Sequence, residues 1–158
     1  MFDDRDVYID FDGVVLNTEE RMEQMVESSG LSWREFLLNF NWEEFLHESS
    51  ELNEALSILR ELEKRKREVS ILTKVNSLYE LREKIIYLRD KNINIPVIGV
   101  PIELAKSTIV IPKKGEILVD DFHKNITKWN NAGGEGFLYT GKDDLNNHEV
   151  GSLHFLLK

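Results

Sequence analysis

The sequence predicts an α/β protein, with a mostly parallel sheet layered between helices. Two observations carry this reading. Short apolar runs rich in β-branched residues alternate with longer stretches of helical periodicity along the 158 residues. Two of the runs, far apart in the chain, end in paired aspartates: Asp10 and Asp12, then Asp120 and Asp121. Strands separated by helices imply right-handed crossovers and parallel pairing. A ring-rich insertion directly after the first run adds one feature. The expected architecture is a Rossmann-like three-layer sandwich with a small helical cap.

The first strand is Val7-Tyr8-Ile9, where β-branched and aromatic residues suit a buried strand. It runs into Asp10-Phe11-Asp12-Gly13. Side chains alternate along a strand, so Asp10 and Asp12 point one way and Phe11 the other. Two carboxylates this close repel unless a cation or a shared proton relieves them. Gly13 allows a sharp turn or a positive φ.

Residues from about Glu19 to Ser49 read as helical and acidic. Ser32 with Glu35, and Asn41 with Glu44, have capping-box spacing. The rings Trp33, Phe36, Phe40, Trp42 and Phe45 exceed what so small a unit can bury within itself. The segment is therefore expected to pack on the main domain as a lid, with most of its rings in the core.

Leu52, Leu56, Leu59 and Leu62 recur at helical spacing and predict a core helix over Glu51 to Lys66. Basic residues gather at its C-terminal end, where the dipole favours them. Val69 to Thr73 reads as the second strand. Ser77 to Arg89 reads as a helix with Leu78, Leu81, Ile85 and Leu88 on one face. Pro96 to Val100 is the third strand, and Thr108 to Ile111 a short apolar run before Pro112. Glu116 to Val119 is a strand ending at Asp120-Asp121. A helix over Asn125 to Asn131 stops at Ala132-Gly133-Gly134, and Gly136 to Tyr139 is a further strand. Leu153 to Leu157 either adds an edge strand or folds back on the core.

Composition narrows the function classes. The length suits one domain, or one core with an insertion. The expected division is a core over 1–18 and 50–158, with a cap over 19–49. No apolar run approaches membrane-spanning length and no signal segment opens the chain, so a cytoplasmic protein without a membrane partner is expected. The absence of cysteine excludes disulfides and thiolate metal sites. A net charge of -9 argues against a nucleic-acid polymer as partner. A small anionic substrate stays compatible, because a local cation can dominate its own site.

In a parallel sheet, ligands bind beyond the carboxyl ends of the strands. Asp10, Asp12, Thr73, Asp120 and Asp121 all stand at such ends. Oxygen ligands without clustered histidine or cysteine select a hard cation, most simply Mg²⁺. His123, beside this rim, reads as an exposed loop histidine.

Asp10-Phe11-Asp12-Gly13-Val14 after a strand resembles the first motif of the haloacid dehalogenase superfamily of phosphoryl-transfer enzymes. Thr73 after Ile71-Leu72 is similar to the second motif, and Ile117-Leu118-Val119-Asp120-Asp121 to the fourth. The third motif needs a lysine before the fourth-motif strand. Lys106, Lys113 and Lys114 all qualify, and Lys106-Ser107-Thr108-Ile109-Val110 matches best. The stretch from Ile117 to Tyr139 narrows the resemblance to the 5'(3')-deoxyribonucleotidase type. Ser77 departs from that type, which often carries a lysine there; Lys74 stands in as a second phosphate ligand.

The resemblance implies an aspartyl-phosphate route on a small phosphorylated substrate, with nucleoside monophosphates the leading class. Asp10 is then the nucleophile and Asp12 the general acid and base. Asp10, Asp121 and the backbone carbonyl of Asp12 hold Mg²⁺, with Asp120 in support. Thr73, Lys74 and Lys106 bind the phosphoryl oxygens. Asn125, where a second acid often sits, acts through water or not at all. Phe40 and Trp42 flank the turn between two cap helices and are the candidates for stacking on a base. The alternatives are a phosphatase for another ester, such as a sugar phosphate, and, more distantly, a phosphorylatable signalling module. Response-regulator receivers also set acids, Thr and Lys on a parallel sheet, but their paired acids end the first strand and their phosphoacceptor ends the third.

Overall fold

The structure, a computed structural model, describes residues 4–158. Its strands are β1 (Val7–Ile9), β2 (Val69–Val75), β3 (Val97–Pro101), β4 (Ile117–Asp120), β5 (Glu135–Tyr139) and β6 (Glu149–Val150). They form one sheet in the order β3-β2-β1-β4-β5-β6, and each neighbouring pair is parallel. The two-residue alternation of strands sorts the core onto two faces. Val7, Ile9, Ile71, Ile117, Val119 and Phe137 share one apolar cluster, whereas Tyr8, Leu72, Leu118 and Leu138 belong to the other. This makes the three layers.

Between β1 and β2 lie α1 (Thr18–Ser29), α2 (Trp33–Leu37), α3 (Trp42–Glu48) and α4 (Ala55–Lys64). Ser32 accepts the Glu35 N–H at 3.2 Å, and Asn41 accepts the Glu44 N–H at 3.0 Å, so both capping signals start a helix. Helix α4 begins later than its leucine spacing suggests. Asn53 and Glu54 hold positive φ, and the Glu51 carboxylate accepts the Leu56 N–H at 3.0 Å instead of joining the helix. Trp42, Phe45 and Leu46 of α3 are buried in the main cluster, with Phe40 half-buried against it.

Helix α5 (Leu78–Asp90) follows β2, starting at Ser77, whose hydroxyl accepts the Glu80 N–H at 3.1 Å. Its buried side differs from the leucine stripe. Leu78 is 81% exposed, while Glu80, Glu83, Lys84, Tyr87 and Leu88 are buried. The helix turns this side inward because Lys84 and Glu80 meet charges under the strand ends. After β3 comes α6 (Lys106–Ile109), a single helical turn, and after β4 comes α7 (His123–Asn131), which covers the second face through Ile126 and Trp129.

The tail folds back on the core. Leu153–Leu157 is a 3-10 turn with Leu153, Phe155 and Leu156 buried. The edge strand is β6 instead, which the polar sequence around Glu149 does not announce. Among the described residues, no helix is long and apolar enough to cross a membrane.

Candidate active site

The strand order places β1 in the middle: the chain winds outward through β2 and β3, then returns to the other side of β1 as β4. The crevice at this reversal lies between the ends of β1 and β4. Ile9 pairs with Val119, and the Asp10 N–H donates to the Val119 carbonyl at 2.9 Å. The next residues on the two strands, Asp10 and Asp120, are therefore neighbours.

Three carboxylates meet there. Oxygen atoms of Asp10, Asp120 and Asp121 all lie within 4.8 Å of one another. Lys106, 2% exposed, joins two of them, at 2.8 Å from Asp10 and 2.6 Å from Asp120. Asp120 has no exposed surface; it also accepts the Phe122 N–H at 2.9 Å and the Asn125 amide at 3.0 Å. Gly13, at φ +79°, lets Asp121 approach. A Cβ on Gly13 would stand 2.7 Å from the Asp121 carboxyl carbon, closer than real contacts allow.

The electrostatics mark this cluster as short of positive charge. Burial, with the negative field of Asp120, pushes Asp10 well above the usual carboxylate range, against the opposing pull of Lys106. Asp121 rises to about 6, again from burial and then Asp120. Burial alone would lower Lys106, yet Asp10 and Asp120 outweigh it and raise the ammonium. A hard divalent cation fits: the donors are oxygens and the negative charge exceeds what one lysine offsets.

Asp12 is held apart from this group. Its carboxylate accepts the Thr18 hydroxyl at 2.6 Å and the Lys84 ammonium at 2.8 Å. Lys84 has no exposed surface and also meets Glu80 at 2.7 Å and Thr73 Oγ1 at 2.9 Å, 5.3 Å above the Phe11 ring. Burial opposes its charge, but Asp12 and Glu80 prevail and raise it.

A cleft of about 630 Å³ opens over the strand ends. Asp10, Asp12, Lys74, Lys106 and Asp121 line it on the sheet side, and Thr18, Glu19, Glu23, Trp33, Trp42 and Phe45 line it from the inserted helices. Thr73 is fully buried and absent from the lining, because the Lys84 ammonium covers its hydroxyl. Asp120 likewise stands behind Lys106. Lys113 and Lys114 are exposed. Of the two rings expected to face a base, Trp42 lines the cleft and Phe40 does not. Phe40 is tied up by packing on Phe36, Trp42 and Phe45, at centroid distances of 5.3, 4.8 and 5.1 Å. His123 is exposed at the start of α7.

No family model matches the sequence, and no curated protein matches it. Solved structures do. A haloacid dehalogenase (HAD) phosphatase from Thermococcus onnurineus superposes with a TM-score of 0.62 at 15% identity, covering 96% of this chain and 95% of that one. A HAD-superfamily hydrolase from Ehrlichia chaffeensis gives 0.58 at 14%, covering 96% and 93%. A phosphoserine phosphohydrolase-like protein from Francisella tularensis gives 0.52 at 9%, covering 97% and 98%. The fold is that of the HAD hydrolases. At these identities the likeness is one of fold, and the chemistry rests on the residues themselves.

The HAD-type fold also brings in residues that sequence reading passed over. Lys84 reads as one charge on an amphipathic helix; only its spacing from Glu80 hinted at a pair. Thr18 stands six residues after Asp12 and reaches it because residues 11–16 form a tight turn, with the Val15 N–H on the Phe11 carbonyl at 2.9 Å. Glu19 and Glu23 follow on the same helix face as Thr18 and Met22.

Proposed function

We propose that this protein is a Mg²⁺-dependent phosphomonoester hydrolase that works through an aspartyl-phosphate, with nucleoside monophosphates as its leading substrates. The observation that carries the reading is the junction of Asp10 with Asp120, Asp121 and Lys106 at the sheet's reversal point. The Asp10 carboxylate attacks phosphorus, forming an O–P bond as the bond to the alcohol oxygen breaks. Asp12 gives a proton to that oxygen, then takes one from the water that cleaves the acyl phosphate, releasing phosphate and restoring Asp10. Lys106 and Lys74 offset charge on the phosphoryl oxygens. Lys84 and Thr18 fix the Asp12 carboxylate, and Asp120 fixes Lys106. Asp10, Asp121 and the Asp12 backbone carbonyl are the groups to hold Mg²⁺, which when bound neutralises charge and orients the phosphate.

The helices over 18–48 act as the cap. Trp33, Trp42 and Phe45 line the cleft from that side, which favours a flat base over a sugar, since stacking on one ring contributes about 1–3 kcal/mol. Hydrolysis of a sugar phosphate is the second reading. A signalling role is less favoured, because the strand order 3-2-1-4-5-6 differs from the 2-1-3-4-5 order of receiver domains. The test is a panel of nucleoside monophosphates and sugar phosphates, with Mg²⁺ and with chelator, on the parent and Asp10→Asn. Turnover that needs Mg²⁺ and vanishes in Asp10→Asn is expected. Near-normal turnover by Asp10→Asn would overturn the covalent route.

A further inference from the structure

The apolar side chains on the cleft divide into two sets. Met22, Trp42 and Phe45 are buried, and Trp42 and Phe45 pack on Phe40 and on each other. Trp33, Ile102 and Phe122 line the same cleft but are 48%, 47% and 51% exposed. Among the described residues, neither the Trp33 ring nor the Phe122 ring packs on another ring. A single exposed apolar residue is ordinary on a protein surface. These three come from separate segments and meet at one opening: Trp33 starts α2, Ile102 follows β3 and Phe122 comes after β4. Apolar surface gathered in this way marks a place of binding.

Their backbones tie them to the site. Phe122 directly follows Asp121, and its N–H donates to the Asp120 carboxylate at 2.9 Å, so its ring is anchored to the acidic cluster. The Ile102 N–H donates to the Val75 carbonyl at 3.1 Å, which fixes it at the end of β2, next to Lys74. Trp33 directly follows Ser32, the capping residue of α2. Surface held in place beforehand loses little freedom when a ligand arrives. The cleft, about 630 Å³, is of a size that encloses a small organic molecule, and a phosphoryl group at Asp10 fills only part of it. The rest of the ester is what reaches the open apolar side chains.

We propose that Phe122, from the sheet side, and Trp33, from the inserted helices, are specificity-determining residues that hold the organic part of the ester, with Ile102 adding to the apolar surface. The proposal rests on the phosphatase reading and names further substrate-binding residues of the same site. It puts part of the selectivity in the sheet domain, one residue beyond the acidic cluster, and not in the cap alone. The substrate class is a phosphomonoester that carries a flat ring system. Such a ring gains from contact with both aromatic side chains, whereas a sugar or a short polyol offers no flat face. Trp42 and Phe45, largely used up in packing, form the back of the cap wall.

The test uses a matched pair of esters, adenosine 5'-monophosphate and ribose 5-phosphate, with p-nitrophenyl phosphate as a reporter of turnover, all with Mg²⁺. The pair shares its phosphoryl group and sugar and differs by the base. The readout is the ratio of kcat/KM for the nucleotide to that for the sugar phosphate. A disturbance of the acidic cluster next to Phe122 acts on both esters and cancels from this ratio. A parental ratio of about tenfold or more is expected, the order of one base stacked on one ring. Phe122→Ala and Trp33→Ala should each lower the ratio severalfold, and the double variant should bring it near one. Phe122→Tyr, which keeps the ring, should keep the ratio. All variants are compared at parental circular dichroism, which half-exposed positions favour. A parental ratio near or below one, with p-nitrophenyl phosphate turned over, overturns the proposal and leaves the phosphatase reading. A ratio that stays high in the folded double variant also overturns it. No turnover of any ester defeats the phosphatase reading and this proposal with it.

Discussion

At the scale of single residues, proton and metal compete for the same oxygens. Asp10 and Asp121 both hold protons more tightly than free aspartates. A carboxyl raised on folding binds more protons in the native state, so stability falls as pH rises through the window between its unfolded and folded values. For Asp121 that window runs from 3.8 to about 6. A bound divalent cation must displace these protons. Calorimetry should therefore show Mg²⁺ binding that tightens from pH 5 to pH 8, with protons released on the acid side. Affinity independent of pH would count against the cluster as the metal site. Gly13 bears on the same point. Gly13→Ala adds about 1 kcal/mol or more of backbone strain at positive φ and drives a methyl against Asp121. Mg²⁺ affinity should drop by more than stability does. Lys106 and Lys113 separate equally simply: Lys106 joins Asp10 and Asp120, whereas Lys113 is exposed. Lys106→Ala should cut turnover about 10²-fold or more, the order of losing one charge-stabilising donor, and Lys113→Ala should leave it nearly unchanged.

At the scale of elements, α5 is held in place by charge as much as by apolar contact. Lys84 joins its helix neighbour Glu80 to Asp12 and Thr73. Lys84→Met removes that cation and leaves Glu80 buried without its partner. A cost of about 3–5 kcal/mol is expected in urea unfolding, with part restored by the Glu80→Gln/Lys84→Met pair. A loss under about 1 kcal/mol, the ordinary surface-pair value, would mean the site is wetter than its burial implies. The rings of α3 and the turn before it divide along a different line. Trp42 touches the cleft and Phe40 only its neighbours. Phe40→Ala should lower Tm without changing the preference among phosphate esters. Trp42→Ala should lower Tm and also erase preference for a nucleotide over a sugar phosphate. Equal loss for both substrates in Trp42→Ala would remove base stacking from the account.

At the scale of the whole molecule, ligand binding and stability are linked because the carboxylates come from elements far apart in sequence. Asp10 directly follows β1 and Asp120 ends β4, so a cation site between them exists only in the folded chain. Mg²⁺ at about 100 times its dissociation constant should add about 2.7 kcal/mol to stability. That gain should appear as a rise in Tm, reverse with chelator, and be lost in Asp121→Asn. A Tm indifferent to Mg²⁺ at neutral pH would argue that the cluster does not hold it.

Much of this fold is written in local pattern. Alternating apolar runs and helical stripes gave a parallel α/β sheet, since each strand's period and each helix's cap is set by nearby residues. The pairing of Asp10 with Asp121 was also legible, because strand ends in such sheets face one crevice. What the sequence could not settle depended on which side of an element faced which neighbour. Helix α5 carries a plausible apolar face through Leu78, yet the fold turns Lys84 and Glu80 inward, because the half-buried Asp12 carboxylate beyond the end of β1 compensates the lysine and hydrophobicity alone does not rank that contact. Phe40 and Trp42 are equally aromatic and two residues apart. Their separation into packing and cleft positions followed from how α3 lies on the sheet domain, a long-range property. The segment from Glu19 read only as helical and acidic until tertiary structure set its first helix over the same opening as Asp10.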